Sequence, residues 1–290
     1  MKAARFAYER PVDLASAVHT LGAHALGAGD AKPLAGGQSL GPMLNLRLAR
    51  PSHVIDLSRI EALRRIESQG LPANSALPAA QARWRIGAAV THAEIEDSPA
   101  LLDGRGFMRH VATGIAYRAV RNRGTIGGSL AHADPAADWP LALNALGARV
   151  CIIGPRGRRD VSAAEFMRAG FSTVLADDEI IEAVEGPVLS AQARWGYWKI
   201  CRKTGEFPEA SAAAVFDPAS GHARIVAGAL GGAPVALAGL AAAVARLGSV
   251  ALTSNAVDQA LVDAVSGLDA VERKLHVTAL LRATRQVFQS

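Results

Sequence analysis

The sequence predicts an α+β protein in three successive parts: a small parallel βαβ unit, a larger part with a mixed or antiparallel sheet, and an antiparallel sheet with a three-helix bundle. Three observations carry this. Before residue 58 short extended runs alternate with helical periodicity; between about 180 and 230 extended runs follow one another without helices; from Val235 onward the apolar spacing is helical. At 290 residues the chain exceeds one average domain. The change of pattern at 176–179 (ADDE) sets a boundary between a first domain, 1–175, and a second, 176–290, the first dividing into about 1–57 and 58–175.

In order along the chain, Val12, Leu14, Ala15, Val18, Leu21 and Leu26 recur at helical spacing after a strand-like piece at 6–8. A strand through Leu34 breaks at Gly36-Gly37 and leads into a helix over 39–48, which stops before Arg50-Pro51 because a residue preceding proline is pushed out of the helical region. Residues 53–57 (HVIDL) are the next strand and complete the parallel unit. Short β-type runs between 62 and 90 include 83–86, and Thr91 opens a helix at His92, a second βα unit. A helical stretch at 107–115, a glycine loop at 123–129 and a helix with Pro140 at its first position follow, and strands at 150–153 and 160–161 close this part. The late strands are 180–184, 195–203, 211–216 and 222–230, and the helices lie near 235–247, 254–266 and 268–288.

Half of the residues are hydrophobic and a fifth charged, an ordinary globular composition. The net charge is +5, but the basic residues are scattered among 26 acidic ones, which argues against nucleic-acid binding. Cys151 and Cys201 stand alone in strand-like surroundings, so no CxxC zinc or iron–sulfur set can be assembled and no metal ligand is assigned. The opening residues, MKAARFAYERPVDL, lack the apolar segment of a secretory signal, so a cytoplasmic, reducing compartment is expected. Residues 225–245 are uncharged and long enough to cross a bilayer, but alanine and glycine dominate and 231–234 (GGAP) mark a turn, so no membrane span is expected.

Two loops stand out. Ala35-Gly36-Gly37-Gln38-Ser39, followed by Leu40, and Thr125-Ile126-Gly127-Gly128-Ser129 each set adjacent glycines beside hydroxyl residues at the end of an extended run. Glycine lets the backbone approach phosphate and aim successive N–H groups at it, hydroxyls add donors, and a following helix N-terminus adds partial positive charge. One such loop reads more readily as a tight turn; two in one domain point to one extended ligand held at its diphosphate. GxGxxG and Walker A are absent, which excludes the usual NAD and P-loop fingerprints. Residues 37–41 (GQSLG) also fit GxSxG, so a serine hydrolase using Ser39 is a remote alternative, against which stand the few short strands before it and the lack of an HGGG-type segment. His92, His110 and His132 form no HExxH motif, and no catalytic residue is assigned. In 195–201 (WGYWKIC) alternation puts Tyr197 and Lys199 on one strand face, where a ring could cover a planar ligand and a cation could stabilise negative charge; the plain reading is cross-strand packing with a snorkelling lysine.

AGGQSL at 35–40, followed by a helix ending in LRLARP, and RNRGTIGGSLAHADPAAD at 121–138 resemble the FAD-binding (medium) subunits of molybdenum hydroxylases, such as those of carbon monoxide dehydrogenase and bacterial xanthine dehydrogenase. RKTGEF at 202–207 extends the resemblance over nearly the whole chain. The resemblance implies a two-part FAD-binding domain followed by a flavoprotein C-terminal domain. It implies that Ala35 through Leu40 and Thr125 through Ser129 hold the FAD diphosphate, that Asp138 lies near the ribityl part, that Ile181 offers backbone hydrogen bonds near the isoalloxazine, and that Lys199 approaches the flavin's polar edge beside Tyr197. Without it, Asp138 reads equally as an N-cap for the helix at Pro140 and Ile181 as core. Ser129 departs from the Asn or Asp frequent at that place.

For function the resemblance implies an oxidoreductase subunit that transfers electrons. Molybdenum cofactor and 2Fe-2S clusters would sit in partners, a large molybdenum-cofactor subunit and a small iron–sulfur subunit, in a dimer of heterotrimers. A stand-alone flavoprotein or FAD-binding scaffold is the alternative. The chain's lack of iron–sulfur cysteines and of a recognisable substrate acid or base favours the relay subunit.

Overall fold

The computed structural model describes residues 2–28, 30–69, 82–98 and 106–289. In the first part β1 (Ala7–Glu9), α1 (Leu14–Ala23), β2 (Ala31–Leu34), α2 (Leu40–Asn45) and β3 (His53–Asp56) build a parallel sheet of order β1-β3-β2. The Asp13 carboxylate caps α1 at the Ser16 N–H, and Leu14, Ala17, Val18 and Leu21, spaced to share one helix face, pack on Ile55 and Leu57. All three strands end on one edge, and the first glycine loop leaves β2 there, the edge where parallel sheets receive ligands. α2 is shorter than expected from sequence: it stops at Asn45, and Arg47 turns the chain with a left-handed φ of 58°.

The second part contains β4 (Ile66–Gln69), β5 (Arg83–Gly87), α3 (His92–Asp97), α4 (Phe107–Thr113), α5 (Arg118–Arg121), α6 (Ile126–His132), α7 (Asp138–Leu146), β6 (Arg149–Gly154), β7 (Gly157–Ser162), α8 (Ala163–Phe166), the hairpin of β8 (Met167–Ala169) and β9 (Ser172–Thr173), and β10 (Ile180–Pro187). Its main sheet is antiparallel, in the order β4-β5-β10-β6-β7. The local pattern placed residues 180–184 with the C-terminal strands. Instead β10 is the central strand here, paired with β5 on one side and β6 on the other, so the change of sheet falls after Pro187 and not near residue 175. Ile180 through Val184 are buried in succession, as a strand covered on both faces requires, with Ile181 and Val184 in the main core and Ile180 against the α1 unit.

α7 is buried along its whole length and starts at Asp138, with Ala137 as N-cap. Pro140 therefore occupies the third helical position and not the first, which is equally compatible because the first four helical N–H groups have no intrahelical acceptor.

In the last part β11 (Arg194–Ile200), β12 (Ala210–Asp217), β13 (His222–Gly228) and β14 (Val235–Ala236) form an antiparallel sheet in chain order, followed by α9 (Ala238–Leu247), α10 (Ser254–Ala264) and α11 (Ala270–Gln286). β12 alternates between two cores: Ala213 and Val215 join the one containing α7, while Ala212, Ala214 and Phe216 join the one under α9–α11. The sheet thus lies between α7 and the three helices. Among the described residues no helix is long and apolar enough to cross a membrane.

Candidate functional site

The two glycine loops meet. A β-carbon on Gly36 would overlap the Arg123 carbonyl oxygen and stand 2.9 Å from the Gly124 Cα, and one on Gly128 would lie 3.3 Å from the Ala35 Cβ. Gly37 has φ of +73°, the left-handed region that glycine adopts without strain. Side chains at Gly36 and Gly128 would push the two loops apart.

The loops differ in what their N–H groups do. In the second, Ile126 donates to the Val90 carbonyl at 3.1 Å, Gly127 to Ala88 at 3.0 Å, and Gly128 to the Thr125 hydroxyl at 3.0 Å, so the start of α6 is bolted to the end of β5. In the first, no N–H of Gly36, Gly37, Gln38 or Ser39 reaches a protein acceptor among the described residues, and Ser39 makes no cap hydrogen bond with its hydroxyl. Uncommitted donors thus gather on the Gly36 side of the contact, and a rigid helix start faces them. This arrangement fits a diphosphate. Among the described residues Ser39 makes no hydrogen bond to a histidine or carboxylate, and it follows a strand of a three-stranded sheet, which does not fit the hydrolase alternative.

His92 backs the contact. A β-carbon on Gly124 would stand 2.8 Å from its Nε2, and the Trp139 indole N–H donates to its Nδ1 at 3.0 Å, which leaves the imidazole proton on Nε2. Burial, with the Arg121 charge adding to it, pushes the imidazole down to about 4. The Thr91–Glu94 capping box fixes the start of α3, where His92 sits. His132, considered for the cofactor site, is half-buried with its ring 5.3 Å from that of Phe171.

Further along, Asp138, Tyr197 and Lys199 form one buried cluster. The Tyr197 hydroxyl donates to Asp138 at 2.6 Å, and the Lys199 ammonium donates to the same carboxylate at 2.9 Å and to the Gly114 carbonyl at 3.0 Å. Burial pushes the Asp138 carboxyl up, against the opposing pull of the Lys199 charge and the Tyr197 hydrogen bond; burial and the Asp138 charge push the Tyr197 hydroxyl well above 10, so its proton stays on the phenol. Asp138 is the first helical residue and spends its carboxylate on β11, so it is not an N-cap.

Tyr197 shares a strand face with Lys199, but its ring is only 6% exposed and lies edge-on to Phe107 and His110, with centroids at 6.1 and 6.2 Å. Two exposed rings, Tyr117 and Phe207, 69% and 68% accessible, stand on loops that touch where a β-carbon on Gly205 would stand 2.8 Å from the Ala116 carbonyl oxygen. Sequence reading passed over both, although an aromatic two residues after a glycine in RKTGEF was a usable signal. Ile181 is buried opposite Ile152; the ladder shifts register next to it, and the Glu182 carbonyl accepts from the Ala88 N–H at 3.0 Å, one residue from the glycine contact.

A parallel βαβ unit and an antiparallel sheet that meet at two glycine loops, with a buried lysine–carboxylate pair further along, define an α+β domain built to hold a dinucleotide-like cofactor. The family described as "FAD binding domain in molybdopterin dehydrogenase" matches residues 4–189, and the chain belongs to it. That match ends just beyond β10. The nicotine 6-hydroxylase medium subunit of Paenarthrobacter nicotinovorans is 41% identical over 70% of this chain and 68% of its own, and the carbon monoxide dehydrogenase medium chain of Hydrogenophaga pseudoflava is 38% identical over 73% and 69%. The solved structure of carbon monoxide dehydrogenase from Hydrogenophaga pseudoflava, lacking the Mo-pyranopterin moiety, superposes with a TM-score of 0.88 at 32% identity, covering 100% of this chain and 99% of that one.

Proposed function

We propose that this chain is the flavin-carrying, electron-transferring subunit of a molybdenum hydroxylase, assembled in the cytoplasm with a small iron–sulfur subunit and a large molybdenum-cofactor subunit as a dimer of heterotrimers. FAD, when bound, accepts electrons singly and releases them in pairs. Everything else is the work of the protein. The free N–H groups of Gly36, Gly37, Gln38 and Ser39 hold the diphosphate between the walls made by Ala35, Leu40 and the Thr125–Ser129 turn. Asp138 and Lys199 set the charge at the flavin end, Ile181 lines it from β10, and Tyr117 and Phe207 offer rings for a planar group to pack on. The observation that carries the reading is the Gly36–Arg123 contact, which brings two sequence-distant glycine loops together with donors to spare on one side.

The reading is tested by isolating the native protein and analysing flavin, iron, molybdenum and subunits together. One FAD per chain, with iron and molybdenum in co-purifying chains, is expected. A flavin-free preparation overturns the assignment; a chain with FAD but no partner favours a stand-alone flavoprotein.

A further inference from the structure

We infer that Tyr197 is a positioning residue: its hydroxyl sets how tightly Asp138 draws the Lys199 ammonium, and thereby how much positive charge Lys199 presents at the flavin end of the cleft. This rests on the FAD reading above.

The geometry leaves the tyrosine little freedom. Its ring is wedged edge-on against Phe107 and His110, its backbone N–H donates to the Gln286 side chain at 2.8 Å, and β11 is paired residue by residue with β12. The phenol oxygen is therefore fixed, and its single hydrogen goes to Asp138 Oδ1. Lys199 bonds the same oxygen and, at 3.1 Å, Oδ2. A carboxylate that already accepts a strong hydrogen bond attracts an ammonium less, because part of its charge is satisfied by the hydroxyl. Lys199 divides its three donors between that carboxylate and the Gly114 carbonyl, with the side chain 11% exposed.

Removing the hydroxyl leaves Asp138 with Lys199 as its side-chain partner. The ammonium is then held closer to the carboxylate, and its field beyond the pair is weaker. Negative charge on a ligand beside Lys199 loses stabilisation. A ring with no polar role would show no such effect, since Tyr197→Phe keeps the shape that packs against Phe107 and His110.

The test uses the native complex carrying Tyr197→Phe, 3-fluorotyrosine at position 197, or Lys199→Met, with FAD content and flavin midpoint potential measured by redox titration of the visible flavin band. The expected result is full FAD content in Tyr197→Phe with a potential lowered in the same direction as Lys199→Met but by less, and the opposite shift for fluorotyrosine, a stronger donor of the same shape. A wild-type potential in Tyr197→Phe, or shifts of the same sign for phenylalanine and fluorotyrosine, overturns the inference while leaving FAD binding intact. Should Tyr197→Phe not accumulate folded, the sign of the fluorotyrosine shift decides alone. A wild-type complex without flavin overturns both readings.

Discussion

The Trp139 indole donates to His92 in the buried interior behind Gly124, 3.0 Å from Nε1 to Nδ1, and this bond requires an unprotonated Nδ1. The imidazole titrates at 6.5 when free and at about 4 when folded. Between those values the unfolded chain binds a proton that the folded chain refuses, so the stability linked to His92 is fully present above pH 6.5 and is lost as pH falls towards 4, in total roughly 3 kcal/mol. His110 and His222 are lowered by burial as well and steepen the same limb. Urea midpoints should therefore fall from pH 7 to pH 4.5, and less steeply in His92→Asn, which keeps an acceptor for the indole. An unchanged slope in the variant would contradict the assignment.

Gly36→Ala should separate the two halves of the cofactor site. The added carbon would overlap the Arg123 carbonyl and crowd the Gly124 Cα, backbone atoms that cannot swing aside as a flexible side chain can. Overpacking of this kind costs about 1–3 kcal/mol, and FAD affinity should fall by about tenfold or more. Gly41→Ala is the control: it lies in α2 with nothing within 4 Å of its would-be β-carbon, so it should be neutral or slightly stabilising. Flavin absorbance per chain and melting temperature distinguish the two, and equal behaviour would show that the loops do not need this contact.

The order of elements was legible because each periodicity is local. Leu14, Val18 and Leu21 announce a helix face, and the glycine pairs announce turns wherever the rest of the chain goes. Alternation also put Tyr197 and Lys199 correctly on one face. It could not say that this face looks towards α7, because Asp138 lies far away in sequence and only the docking of β11 on α7 brings them together. The place of His92 behind the glycine contact was hidden for the same reason, its partner being Trp139. The role of β10 was misread because a buried run such as 180–184 looks the same in any sheet, and its neighbours, β5 and β6, come from well upstream.

Lys199→Met should destabilise the chain by about 3 kcal/mol, since it strands a carboxylate on the buried first turn of α7. The loss is that of an uncompensated charge more than of a favourable pair. Adding Asp138→Leu should therefore restore most of the stability without restoring the flavin potential, a combination that urea unfolding and redox titration of the flavin band can separate. A double variant as destabilised as Lys199→Met alone would mean that the pair itself stabilises the fold, and additive losses would mean that the two residues are uncoupled.

A fragment ending at residue 175, where the local pattern changes, should not fold. It lacks β10, and without that strand β5 and β6 have no common neighbour: the sheet would break into a β4–β5 piece and a β6–β7 piece. Ile181 and Val184 would also be missing from the core beneath α7. A fragment ending at 193 regains the complete sheet, but it leaves α7 without Tyr197, Ala213, Val215 and Val226, which close the same core from the C-terminal side. Its hydrophobic face would be open and Asp138 would lose both partners. The expected series is an unfolded short fragment, a compact but aggregation-prone longer one, and cooperative unfolding only in the full chain, measured by near-ultraviolet circular dichroism and urea titration. Cooperative unfolding of the fragment ending at 175 would show that the N-terminal sheet does not need its central strand.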